Sequence, residues 1–172
     1  MKRFETAETD RDRDTARKQL RTNLAGKLGE TIAKDAMGPF SNGVETHKPV
    51  HGPNGLTYID IRTTGARGPI ILGREQGIAQ GGNLSVEVKV GEPDYIRRQL
   101  LGHVPDVQVE GHLALGDKSL VLVPADMRDV CSENELRQSV RESGSYVMAV
   151  LPSKEMINRV LETLLKESVR GA

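Results

Sequence analysis

Between residues 13 and 37, Ala16, Leu20, Leu24, Leu28 and Ile32 recur four apart, the spacing that gathers side chains on one face of an α-helix. Ala33 and Ala36 extend that stripe, and Gly38-Pro39 ends it. Gly26 and Gly29 fall inside the pattern, each costing up to about 1 kcal/mol against Ala. They mark either a close backbone approach or a break into two helices. The next stretches alternate instead. Residues 56–61 and 84–90 carry apolar side chains at every second position and read as strands. Residues 112–115, 119–123 and 146–151 read as further strands. Helices are expected from Pro93 to about residue 102, over residues 132–143 with Ser132 as N-cap, and from Pro152 or Ser153 to the C-terminus. In that last helix Met156, Val160, Leu164 and Leu165 form the apolar stripe. Residues 47–55 are dense in turn formers and read as a loop. The six glycines between residues 65 and 82 predict a hairpin or a wide connection. The sum is an α/β protein, a central mixed β-sheet flanked by helices.

Composition narrows the class. A chain of 172 residues suits one domain with its own core, here residues 13–172 behind a flexible, charge-rich segment 1–12. Three Tyr, two Phe and no Trp leave the core to aliphatic residues. No stretch approaches a membrane span and the charged N-terminus lacks a signal-peptide core, so a soluble chain is expected. The single cysteine, Cys131, excludes an internal disulfide and a multi-cysteine zinc site. It reads as structural. A formal net charge of zero argues against an extended phosphate-binding surface, although a local basic cleft is compatible with overall neutrality.

The chemistry concentrates in the alternating stretches. Glu87 and Lys89 share one face of their strand, while Val86, Val88 and Val90 take the other. An acid and a base two apart on a strand commonly decorate a solvated face. A neighbouring strand carrying Asp60 would change that meaning. Two carboxylates and a lysine at one point can hold a divalent cation and stabilise charge on a phosphoryl group. The histidines do not form a comparable set: Pro49 between His47 and His51 argues against a helical zinc pair, and His103 and His112 read as structural or solvated.

The order of these positions, Gly29-Glu30 in a helix, Asp60 in a strand, Glu87-Val88-Lys89 in a strand and Gln99 in a following helix, resembles the PD-(D/E)XK nuclease superfamily. Within it, the chain looks most like the C-terminal nuclease domains of bacterial polymorphic and contact-dependent growth inhibition toxins. The resemblance runs from about residue 25 to 123, and departs from the pattern where Ile59, not Pro, precedes Asp60. It implies a restriction-endonuclease-like fold and a metal-dependent endonuclease acting on DNA, with tRNA as the alternative substrate. It implies catalytic roles for Glu30, Asp60, Glu87, Lys89 and Gln99. Asp60, Glu87 and the Val88 carbonyl would hold Mg²⁺ or Mn²⁺ in preference to Zn²⁺, with Asp35 a weaker acid on the Glu30 helix. Arg97, Arg98, Arg67 and Arg74 are expected at substrate phosphates. A toxin of this kind would be secreted or delivered within a larger protein, act in the target-cell cytoplasm, and have a cognate immunity protein. A non-catalytic α/β interaction module, with Glu87 and Lys89 as surface charges, is the reading from another class. A housekeeping nuclease of DNA repair or recombination is the third.

Overall fold

The computed structural model describes residues 10–52, 55–71, 77–96, 111, 114–127 and 145–170. A long helix α1 (Asp10–Met37) leads through a 3₁₀ turn (Gly38–Phe40) into β1 (Ser41–Gly52) and β2 (Gly55–Ala66). Two short strands, β3 (Ile70–Ile71) and β4 (Gly77–Ile78), form a separate small hairpin. Then come β5 (Leu84–Val88), β6 (Lys118–Pro124), β7 (Ser145–Leu151) and the closing helix α2 (Lys154–Arg170).

The main sheet has the order β1-β2-β5-β6-β7. β1, β2 and β5 run antiparallel in succession, whereas β5, β6 and β7 are parallel. The expected mixed sheet flanked by helices is therefore present. Its centre is buried on both sides: every residue of β5 is buried, as are residues 119–124 of β6. One face carries the main core, where Ile61, Leu84, Val86, Val88, Leu120 and Leu122 meet Ala33 of α1.

Small residues decide how closely α1 lies on that face. Ala25, Gly29 and Ala33 are four apart and all buried, with Leu24, Leu28 and Ile32 flanking them half-buried. A Cβ added at Gly29 would sit 2.8 Å from Val90 Cγ2 and 3.1 Å from Val88 Cγ1, so this glycine marks a close approach. The helix is unbroken through both glycines, which removes the two-helix alternative, and it starts three residues ahead of the expected position.

Three expectations change. Residues 47–52 are strand, not loop, because they pair with β2 in unbroken register from Ser41↔Ala66 to Gly52↔Gly55. β1 is an edge strand, where Pro49 sacrifices no necessary ladder bond. His47 accommodates the pairing by taking a left-handed φ of 50°, a region in which His is enriched among non-glycine residues. In the segment expected as a strand over 112–115, Gly111 and Ala114 are helical and residues 115–116 form a turn. In α2 the expected stripe faces outward: Met156, Val160 and Leu164 are exposed, while Ile157 and Leu161 are buried against Ala25, Leu24 and Leu28. The start of α2 is as expected, with Ser153 Oγ accepting from the Met156 N–H at 3.2 Å, an N-cap bond that satisfies an otherwise orphaned donor. The helix expected at residues 132–143, with Cys131, His103 and His112, lies outside the described residues.

Candidate active site

β2 and β5 are paired over only three rungs, Ile61↔Val86, Arg62↔Ser85 and Thr63↔Leu84. Beyond Ile61 the two strands part. The next residue on each side of that fork is Asp60 and Glu87. Residues opposite one another in an antiparallel pair project to the same face, so the register carries both carboxylates to one place. Across the fork the Val88 N–H donates to Asp60 Oδ2 at 2.9 Å.

Glu87 is 1% exposed and Lys89 8%. That burial overturns the solvated-face reading, since charged side chains are rarely sealed from water without a partner. Within the pair, Lys89 Nζ donates to Glu87 Oε2 at 3.3 Å. Lys89 follows the end of β5, yet its N–H still bonds the Leu122 carbonyl at 2.9 Å, which fixes the backbone from which the ammonium extends. The carboxyl of Asp60 is pushed up to about 7 from an ordinary 3.8. Burial contributes most and the negative charge of Glu87 next, with Glu30 adding to the rise, against the Val88 N–H bond and the charge of Lys89. Glu30, Glu87 and Lys89 thus each act on the Asp60 carboxyl through space.

Glu30 reaches the site from α1, one residue beyond the tight Gly29 contact. Its Oε2 lies 3.2 Å from His47 Nε2, with the imidazole 60% exposed. Sequence reasoning passed over His47, because nothing in a run of turn formers signals a strained residue on a strand next to an acid.

A second polar group was also missed. Arg62 donates from Nε to Asp117 Oδ2 at 2.6 Å and from a terminal nitrogen to Oδ1 at 3.1 Å, and Ser85 Oγ donates to Asp117 Oδ2 at 2.8 Å. Glu45 stands 3.7 Å from the same guanidinium. Arg62 and Ser85 occupy the rung two residues in from Asp60 and Glu87, so this network braces the paired end of the fork. The available signal was the alternation itself: Asp60-x-Arg62 and Ser85-x-Glu87-x-Lys89 place five polar side chains inside otherwise apolar strands.

Not every expected residue joins. Arg67 lies past the far end of β2, roughly 23 Å along the strand from Asp60 at about 3.3 Å per residue, and its N–H bonds the Phe40 carbonyl. Asp35 is exposed and is not among the groups that shift Asp60. Val88 enters through its N–H. Gln99, Arg97, Arg98 and Arg74 lie outside the described residues.

The donor set bears on the choice of metal. Among the described residues no group of three or more His, Cys, Asp and Glu side chains lies together so as to hold an ion, and a structural zinc site requires about four such ligands. Magnesium keeps several waters and takes only one or two carboxylates from the protein. The Asp60–Glu87 pair, with its mutual repulsion written into the raised carboxyl of Asp60, offers two carboxylate donors, within the number that magnesium takes from a protein.

The chain matches no protein-family model, no curated protein and no solved structure. Among the described residues no helix is long and apolar enough to cross a membrane.

Proposed function

We propose that the chain is a metal-dependent endonuclease hydrolysing nucleic-acid phosphodiester bonds, with a restriction-endonuclease-like fold. The observation that carries this reading is the buried Glu87–Lys89 pair set against Asp60 at the fork of β2 and β5. Burying Glu87 and Lys89 beside a half-buried Asp60 is costly for stability and is typical of sites that use the charges. It also counts against the interaction-module reading, in which Glu87 and Lys89 are surface decoration.

Asp60 and Glu87 would hold Mg²⁺ or Mn²⁺, which supplies Lewis-acid polarisation of the phosphate and a more acidic bound water. The protein's own groups do the rest. Val88 N–H orients the Asp60 carboxylate, and Glu87 positions Lys89. The Lys89 ammonium stabilises negative charge developing on the phosphoryl oxygens in a site where water screens it poorly. Glu30 adds a third acid at the rim and orients His47.

A toxin role, with delivery into a target cell and a cognate immunity protein, rests on the resemblance to contact-dependent inhibition nucleases. Growth arrest on expression, relieved by Glu87→Ala, supports it; normal growth with active nuclease favours the housekeeping role. The enzymatic test is incubation of plasmid DNA and total tRNA with the purified chain in Mg²⁺, Mn²⁺ or EDTA, beside Glu87→Ala and Lys89→Ala. Metal-dependent cutting lost in both variants is expected. Cutting retained by both variants refutes the site, and intact substrates throughout refute the activity.

A further inference from the structure

β2 continues outward past the fork, paired among the described residues with β1 alone, so that residues 55–60 and 47–52 form a two-stranded ribbon reaching beyond the main sheet. Its inner face is closed: Val50, Thr57 and Ile59 are buried, and Gly111 packs so tightly there that a side chain in its place would collide with Thr57. Its outer face is open. Leu56 is 49% and Tyr58 53% exposed, alternating on the same side of β2 as Asp60. Across the ribbon, Pro49 lies opposite Tyr58 and His51 opposite Leu56, both exposed.

Isolated exposed apolar side chains are ordinary on any protein surface. This arrangement differs because it is a line. Tyr58 stands two residues from Asp60 on one strand face, about 6.6 Å away at 3.3 Å per residue, with Leu56 and His51 one step further out. A phosphate at the proposed site beside Asp60 would have the Tyr58 ring two strand positions away, within the span of its own nucleotide or the next. Bases stack on such rings whatever their sequence, but a base inside a duplex has both faces covered by its neighbours and must first leave the stack.

We propose that the outer face of the β1–β2 ribbon is a stacking platform for an unpaired nucleobase beside the scissile phosphate, Tyr58 being the ring it stacks on, and that the substrate is single-stranded or looped nucleic acid. The platform deepens the nuclease reading and rests on it for the position of the phosphate. Tyr58 is a substrate-binding residue, with Leu56 and His51 as the next contact along the strand.

Binding can be read apart from cutting. Fluorescein-labelled 12-nucleotide single strands of RNA and of DNA, and the matching DNA duplex, are titrated in EDTA with the Glu87→Ala chain alone or with Tyr58→Ala or Tyr58→Phe added, following anisotropy. Both single strands should bind more tightly than the duplex. Tyr58→Ala should weaken single-strand binding about tenfold or more, and Tyr58→Phe, which keeps the ring, should restore it. The ratio of RNA to DNA affinity identifies which single strand is preferred. Circular dichroism melting of each variant establishes that the exposed substitution leaves the fold intact. Equal binding with and without the ring, a preference for duplex, or no binding of any oligonucleotide overturns the platform. Metal-dependent cutting by the unmodified chain that survives Tyr58→Ala with unchanged KM removes the platform and leaves the nuclease standing. Ring-dependent binding without any cutting by the unmodified chain does the reverse.

Discussion

The Val88 N–H donates to Asp60 Oδ2 at 2.9 Å, tying the strand that bears Glu87 and leads into Lys89 to the strand that bears Asp60 just where their ladder ends. One carboxylate oxygen thereby has a fixed direction, in a place where burial and Glu87 both favour its protonated form.

The raised carboxyl of Asp60 makes the metal-free chain less stable as pH rises. The group binds its proton up to about 7 when folded but releases it near 3.8 when unfolded. Between those values the folded state holds more protons, so stability is greatest at the acidic end of the window and falls until about pH 7. Urea melts in EDTA from pH 4 to 8 should show a downward contribution that Asp60→Asn removes, since Asn keeps an acceptor for the Val88 N–H and cannot ionise. Addition of Mg²⁺ should release a proton below pH 7 and little above it, as isothermal titration in buffers of different ionisation enthalpy will show.

The two glycines of α1 should respond oppositely to alanine. Gly26 has nothing within 4 Å of an added Cβ, so Gly26→Ala should stabilise by up to about 1 kcal/mol through helix propensity alone. Gly29→Ala drives a methyl onto the stiff, branched side chains of Val88 and Val90. It should destabilise by about 1–2 kcal/mol after that propensity gain, and also slow any metal-dependent cleavage because Glu30 moves with the helix. Equilibrium denaturation of both variants, with equal slopes, checks the signs.

The Arg62–Asp117 pair is bidentate, with the Asp117 side chain 1% and the Arg62 side chain 15% exposed. Asp117→Ala removes the bidentate partner of the guanidinium, leaving it only the looser Glu45 contact, takes the acceptor from the Ser85 hydroxyl, and should cost about 3 kcal/mol. Arg62→Leu with Asp117→Leu should recover part of that loss, because a buried ion pair is often replaceable by apolar volume. A double-mutant cycle by denaturant melts measures the coupling.

His47 is held at a φ of 50° while its ring meets Glu30. His47→Ala loses the contact and keeps the backbone strain; His47→Gly loses the contact and relieves it. The glycine variant should therefore be the more stable of the two by about 1 kcal/mol, measured by thermal melts at pH 7.

Much of this site was legible because its residues obey strand alternation. Glu87 and Lys89 had to share a face, Asp60 lay in a second alternating run, and Glu30 followed a glycine whose cost in a helix needed a reason. The sheet class followed from the same runs. What escaped notice depended on partners far away in the chain. Asp117 meets Arg62 across 55 positions, and a Gly-Asp turn gives no hint of it. Residues 47–52 carry turn chemistry, yet pairing with β2 holds them extended at a sheet edge where Pro49 is harmless. The outward stripe of α2 is apolar enough to pass for the buried one; only the position of α1 decides that Ile157 and Leu161, one residue along, face inward.

The fork of β2 and β5 has a mechanical consequence. Three rungs fix one arm to the sheet, while the ribbon beyond them is a lever whose fulcrum lies beside Asp60. Glu87 belongs to the five-stranded frame and Asp60 to the root of the ribbon. A tilt of the ribbon would change the span between the two carboxylates while the three rungs stay paired, which would couple the ribbon's tip to the proposed ion seat.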